Sequence, residues 1–166
     1  MKPTYEELVK KYIGLIYFFA KRWVYDREDT DDVVSETYKK ALIRYDNFDY
    51  QTDNQLKSWL LTICRNTVID NQRLKKPTVS LDETLEVADS QNDIEKWMDQ
   101  EIANENVIKL KSAIGKLNET DYDIITMKYF EELTFKEIAE VLDITESKAK
   151  MRCYRALTKL KKLIKL

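Results

Sequence analysis

LTFKEIAEVLDITESKAKMRCYRALTKL, residues Leu133 to Leu160, decides the fold. Thr134 and Glu137 stand three apart ahead of an apolar run, the spacing of a capping box, and predict a short helix from Phe135 to Leu142. Asp143-Ile144 predicts a turn, and Thr145 opens a second helix that continues to the last residue. In the first helix Ile138, Ala139 and Leu142 point inward, and the small Ala139 lets its partner approach closely. Ile144 plugs the corner. In the second helix Ala149, Cys153 and Ala156 recur at helical spacing and pack inward. The opposite face then carries Lys148, Lys150, Met151, Arg152, Tyr154 and Arg155. This is helix-turn-helix form. A basic second helix of this kind fits the major groove, its N-terminal residues reaching base edges and its cations meeting phosphates. A basic helix docked on an acidic partner is the simpler alternative, but capping box, small residue, corner plug and cationic helix together favour DNA. Asp143 stands where many such motifs carry glycine, and aspartate tolerates turn conformations.

Outward from this segment, composition narrows the possibilities. The chain has 166 residues with 2 glycines, 2 prolines, 2 cysteines and no histidine. Gly14 and Gly115 alone cannot build a glycine-rich phosphate loop, and tight β-hairpins also want glycine. Without histidine there is no Ser-His-Asp or Cys-His catalysis and no His-ligated zinc. Cys64 and Cys153 are too far apart in sequence for a zinc motif and suit a reducing cytoplasm. The longest apolar stretch, Ile13 to Ala20, is well short of the roughly 20 residues a bilayer requires. The expectation is an all-α chain without cofactor or metal that is not an enzyme.

Periodicity predicts two helical domains. In the first, residues 1–76, a capping box at Thr4 and Glu7 opens a helix to about Tyr25 that buries Leu8, Ile13, Leu15, Ile16, Phe19 and Trp23. A second helix starts after Thr30, with Asp31 and Asp32 in its first turn, and turns Val34, Tyr38, Ala41, Leu42 and Tyr45 inward. Asn47 to Gln55 reads as a loop. A third helix from about Leu56 to Leu74 buries Trp59, Leu60, Ile63, Thr67 and Ile69. Residues 77–104 read as a linker, with room for a short helix between Asp93 and Gln100. The second domain, residues 105–166, starts with a helix carrying Ile102, Val107, Ile108, Leu110 and Ile114 and ending near Gly115. The next runs from an N-cap at Thr120 to about Phe130, with Ile124, Ile125 and Met127 inward, and the helix-turn-helix follows.

The net charge of -2 conceals segregation. From Thr145 onward, Lys148, Lys150, Arg152, Arg155, Lys159, Lys161, Lys162 and Lys165 face Glu146 alone. From Lys57 to Lys76 five cations oppose Asp70. Between these blocks, Asp82 to Glu105 holds nine acids against Lys96, and a further acidic cluster runs from Asp26 to Glu36. Blocks of opposite sign imply separate surfaces with separate partners, where solvated helix faces are the plainer reading. Asp26, Glu28 and Thr30 mimic the start of a calcium loop, but Asp31 sits where that loop needs glycine and Thr37 where it needs glutamate.

Three stretches, in order, resemble one family. Thr30 to Phe48 (TDDVVSETYKKALIRYDNF) looks like an acidic-start helix that docks on core RNA polymerase. Leu56 to Arg73 (LKSWLLTICRNTVIDNQR) matches the pattern W-L-x-x-I-x-R-N-x-x-x-D-x-x-R. Leu133 to Leu160 carries E-I-A-x-x-L and K-x-R-x-x-R-A. Together they resemble the extracytoplasmic-function sigma factors, the small two-domain class of the sigma-70 family of bacterial initiation factors. The resemblance covers nearly the whole chain.

The resemblance implies promoter-specific initiation on core polymerase. It places Asp32, Ser35, Glu36 and Lys39, one helix face by spacing, against the β′ subunit's coiled-coil clamp, with further contact to β. It gives Lys150, Met151, Tyr154 and Arg155 to −35 bases and phosphates, flanked by Lys148 and Arg152. Met151 replaces a more usual small polar residue, which suits contact with a thymine methyl. It gives the melted −10 strand to the loop around Asp49 and Asn54, to Asn66, and to the cations Arg65, Arg73, Lys75 and Lys76. Trp59 is either core or a stacking platform. Asp49 and Asp53 are acidic for a DNA-facing loop. The acidic linker would pass near the RNA exit path. The implied regulator is an anti-sigma factor, often membrane-anchored, holding a cytoplasmic protein at the membrane; no small-molecule substrate is implied. A stand-alone helix-turn-helix regulator is the main alternative, expected to dimerise on paired half-sites. A carboxylate-based nuclease and a DNA-independent adaptor are others.

Overall fold

A computed structural model describes residues 1–24, 26–75 and 105–164, the side chains of 75 and 105–107 excepted. The expected linker, Lys76, Ile102 and the side chain of Val107 lie outside the described residues. Those described fold as two helical units with no strand among them.

The first unit packs three helices pairwise: α1 (Tyr5–Trp23), α2 (Arg27–Tyr45) and α3 (Asp53–Lys75). The expected capping box closes α1. Glu7 N–H donates to Thr4 Oγ1 at 3.3 Å, and Thr4 N–H donates to Glu7 Oε2 at 2.7 Å. That Thr4 N–H, and after it the Thr4 hydroxyl at 3.0 Å from the same oxygen, hold the Glu7 carboxyl below the usual carboxylate range. Leu8, Tyr12, Leu15, Ile16, Phe19 and Ala20 form the buried stripe. Ile13, expected inside, is 47% exposed because it lies on the flank of that stripe, and Trp23 is half-buried beside Phe19 at 5.4 Å.

α2 starts about one turn earlier than expected. The acidic run offers two registers, and the extended Asp26 takes the N-cap, so Glu28 and Asp29 occupy the first turn in place of Asp31 and Asp32. Thr30 turns inward and donates its hydroxyl to Asp26 O at 2.7 Å. Val33, Val34, Thr37, Ala41 and Tyr45 are buried, whereas Leu42, expected inside, is 55% exposed. α3 also starts early, inside the segment read as loop. Thr52 caps it, accepting from Gln55 N–H at 3.1 Å on its hydroxyl and from Leu56 N–H at 3.1 Å on its carbonyl. Its buried face is Leu56, Leu60, Leu61, Ile63, Cys64, Thr67 and Val68. Trp59 and Ile69 stay half-buried on the margin.

The second unit comprises α4 (Glu105–Gly115), α5 (Glu119–Ile125), a π-helical turn (Thr126–Phe130), α6 (Phe135–Leu142) and α7 (Glu146–Ile164). In α4, Ile114 is buried, but Ile108 and Leu110, expected inward, are 59% and 38% exposed; Ala113, and Leu117 just beyond the helix, contribute to the core instead. The N-cap of α5 is Asn118, not Thr120. Its side-chain oxygen accepts from Asp121 N–H at 2.8 Å, and asparagine is the stronger N-cap former. The π turn was not foreseen. Glu131 N–H reaches back five residues to Thr126 O at 3.1 Å, inserting one residue into the turn. Met127 is buried, while Tyr129 and Phe130 are 54% and 53% exposed.

Candidate nucleic-acid and polymerase interfaces

The turn between α6 and α7 fixes how the basic helix is presented. Thr134 and Glu137 form the expected box, at 2.7 Å from Thr134 N–H and 3.2 Å to Thr134 Oγ1. Asp143 adopts φ 53, the left-handed conformation glycine usually supplies. Ile144 N–H reaches Ala139 O at 3.0 Å, and Asp143 N–H reaches Glu140 O at 3.4 Å. Those paired bonds make a Schellman ending, in which a residue such as Ile144 packs back on the helix it leaves. Thr145 then caps α7, accepting from Lys148 N–H at 3.2 Å.

Ala149, Cys153, Ala156 and Leu160 are the buried face of α7, as the spacing required. Two small residues and a thiol let its axis lie close to α5 and α4. Lys148, Met151, Tyr154 and Arg155 are exposed and Arg152 is half-buried. Ser147, Lys148, Met151, Arg152 and Arg155 line a shallow hollow on this outer face. Tyr154 is 62% exposed and Met151 55%, so neither packs as core. Two cations of the basic block are engaged. Lys150 pairs with Glu146 one turn back at 2.8 Å, and Lys159 pairs with the buried Asp121 of α5. Burial pushes the Cys153 thiol up.

In the first unit, Asn66 and Arg73 are exposed on one face of α3, two turns apart, and Arg65 is half-buried beside them. Asp49 is exposed in the α2–α3 loop and Asn54 is half-buried at the start of α3. Asn54 and Asn66 are separated by about 18 Å along the axis, at 1.5 Å per residue. The same stretch turns the helix by about 120°, so the loop end and the Asn66–Arg73 face lie on different sides of α3. The loop is held together by its own bonds. Gln51 N–H donates to Gln55 Oε1 at 3.0 Å, Gln51 Nε2 donates to Asp49 Oδ2 at 3.1 Å, and the Tyr50 hydroxyl donates to Asp53 Oδ1 at 3.0 Å. Trp59 is half-buried and packs against Phe48 of the loop, ring centroids 4.5 Å apart and planes tilted by 31°.

On α2, Asp32, Ser35 and Lys39 are exposed and Glu36 is half-exposed, with Lys39 and Glu36 3.8 Å apart. Continuing along this face, Ile43 is 79% exposed after Leu42. The suspected calcium-loop residues Asp26, Glu28 and Thr30 start a helix, and the Thr30 hydroxyl is spent on Asp26 O. Among the described residues no helix is long and apolar enough to cross a membrane. Deeper in this unit, burial pushes the Cys64 thiol up to about 12, which keeps it protonated.

Sequence comparison decides the family. The profile of Sigma-70 region 2 matches residues 8–78, and that of Sigma-70 region 4 matches residues 113–162. The chain belongs to the sigma-70 family. Within it, the curated relatives are RNA polymerase sigma factors, several of them named as ECF. The ECF RNA polymerase sigma factor SigM of Bacillus subtilis is 28% identical over 162 residues, spanning 96% of this chain and 94% of the relative. The RNA polymerase sigma factor SigZ of the same organism is 30% identical, spanning 96% and 86%. Two solved structures share the fold. The sigma factor RpoE in complex with the anti-sigma factor NepR, from Bartonella quintana, gives a TM-score of 0.61 at 18% identity, covering 97% of this chain and 96% of that one. CnrH in complex with the cytosolic domain of CnrY gives 0.57 at 21%, covering 97% and 87%. This sigma factor is therefore an alternative, ECF-type RNA polymerase sigma factor, a class of non-catalytic transcription initiation factors.

Proposed function

We propose that this sigma factor docks on core RNA polymerase through the α2 face of Asp32, Ser35, Glu36 and Lys39. It places α7 in the −35 major groove and holds the melted −10 strand along the α2–α3 loop and α3. The observation that carries the reading is the division of α7: Ala149, Cys153 and Ala156 buried, with Lys148, Met151, Tyr154 and Arg155 exposed on the far side of a helix-turn-helix. Met151 offers an apolar contact and Lys148, Arg152 and Arg155 offer cations to the backbone. Lys150 reaches phosphate by exchanging its exposed partner Glu146, a pair worth little in water. In the first unit Asp49, Asn54 and Asn66 meet bases, while Arg65 and Arg73, with Lys76 beyond them, follow the backbone. The chain itself catalyses nothing; polymerase does. The related complex of RpoE with the anti-sigma factor NepR supports regulation by an anti-sigma factor; such a partner would cover these faces and, if membrane-anchored, hold the chain at the membrane.

Run-off transcription with purified core polymerase and a promoter-fragment library tests the whole reading. The expected result is a set of discrete transcripts that require this chain. Active core giving none would overturn it.

A further inference from the structure

The α2–α3 loop carries acids where a nucleic-acid strand is to approach, and the structure shows what answers them. Asp53 opens α3 and lies next to Asn54. Its Oδ2 accepts from Lys11 Nζ of α1 at 2.6 Å, and its Oδ1 accepts from the Tyr50 hydroxyl at 3.0 Å. Both members of the ion pair are about half exposed. The same contacts hold the Asp53 carboxyl below the usual carboxylate range, Lys11 first and Tyr50 second, and raise the Lys11 ammonium. The other end of the loop is tied from the same side. Lys2 Nζ donates to the carbonyl oxygens of Tyr45 and Phe48, the latter at 2.9 Å, and lies 4.4 Å from the Tyr45 ring centroid. An ammonium on the carbonyl of Tyr45, the last residue of α2, suits that helix's negative end. The loop is thus bracketed by two cations supplied from residues before it in the chain.

We propose that Lys11 is a positioning residue for −10 strand capture: it neutralises Asp53 and holds the Tyr50–Asp53 pair so that the loop accepts a polyanion. The inference rests on the strand-capture reading above. An exposed ion pair contributes little to stability, so this pair's effect is on the field at the loop. A bare Asp53 carboxylate repels incoming phosphates, whereas a paired one does not.

The test uses holoenzyme assembled from core polymerase and the full chain. The probe is a fluorescein-labelled single-stranded oligonucleotide covering the −10 region of a promoter active in run-off, with a scrambled oligonucleotide as control. Lys11→Met should weaken binding of the −10 strand by about threefold to fivefold at moderate salt, the size expected for one uncompensated charge near the strand. Adding Asp53→Asn to Lys11→Met should restore wild-type affinity, because asparagine removes the charge and keeps an acceptor for Tyr50. Lys11→Arg should bind as wild type does. An unchanged Lys11→Met variant overturns the proposal. So does a double variant as weak as Lys11→Met, which would make Lys11 itself the phosphate contact. A wild-type holoenzyme that assembles but does not prefer the −10 strand over the scrambled one overturns the strand-capture reading, and the role of Lys11 with it.

Discussion

At the scale of one residue, Asp143 carries the most consequence. Its φ of 53 belongs to the left-handed region, where a Cβ crowds the following carbonyl and only glycine sits without strain. Aspartate is among the few side chains that tolerate it. The order of stability at this position is therefore glycine, aspartate, then a β-branched residue. Asp143→Gly should gain about 0.5 kcal/mol, the relief of strain being partly offset by the greater freedom of the unfolded chain. Asp143→Val should lose about 1–2 kcal/mol. Urea midpoints of the full chain measure both, provided the second unit's transition is followed. Asp143→Val should also weaken −35 duplex binding more than its stability loss explains, because the turn sets the angle at which α7 leaves α6. Equal midpoints for all three side chains would mean that the turn relaxes freely and fixes nothing.

At the scale of elements, local signals were legible and distant ones were not. The capping boxes at Thr4 and Thr134 could be read because both partners lie within one turn, and the bounds of α6 were met by Phe135 and Leu142. Faces were read less well. Helical spacing marks a stripe but not how far its flanks are covered, so Ile13, Leu42 and Ile108 were placed inside and lie outside. Pairings across the chain left no pattern at all. Lys11 meets Asp53 at a separation of 42 residues, and Lys159 meets Asp121 at 38. The second pair has an energetic consequence that the first lacks. Asp121 is 7% exposed as a residue, and the half-exposed Lys159 reaches it from α7. Removing the cation by Lys159→Met strands a buried carboxylate and should destabilise the second unit by about 1–3 kcal/mol. Asp121→Asn in the same chain should return much of that, since the amide is neutral and keeps its acceptor. A denaturation series on the two single variants and the double gives the coupling energy directly. Additive losses would show that the pair is an accident of the surface. The cost also explains why Lys159 is a poor candidate for phosphate contact despite its place in the basic block.

At the scale of the whole molecule, a chain of net charge -2 that is to grip nucleic acid must concentrate its cations. On the proposed reading it does so on two surfaces, one on each helical unit. The surface on α7 is built on a helix-turn-helix and suits duplex. The proposed −10 surface joins a self-bonded loop at the start of α3 to the exposed Asn66–Arg73 face further along it, and suits a single strand that winds around the helix. If the two are independent, damage to one leaves the other intact. Arg155→Ala should weaken binding to −35 duplex and reduce the slope of log affinity against log salt by about 0.9, the value for one lost phosphate contact on B-form DNA. It should leave capture of the −10 oligonucleotide unchanged. Asn66→Ala should do the reverse: normal assembly with core polymerase, normal −35 binding with an unchanged salt slope, and impaired opening of a duplex promoter. Permanganate footprinting of the melted region reads the second effect, and salt titration of duplex binding reads the first. An unchanged slope with altered base preference would move Arg155 from phosphate to base readout. Loss of core binding in Asn66→Ala would place that residue in the fold of the first unit instead of on the proposed −10 surface. The α2 face of Asp32, Ser35, Glu36 and Lys39 provides the third arm of the same test, because charge reversal at Glu36 should reduce core binding while sparing −35 duplex affinity in the free chain.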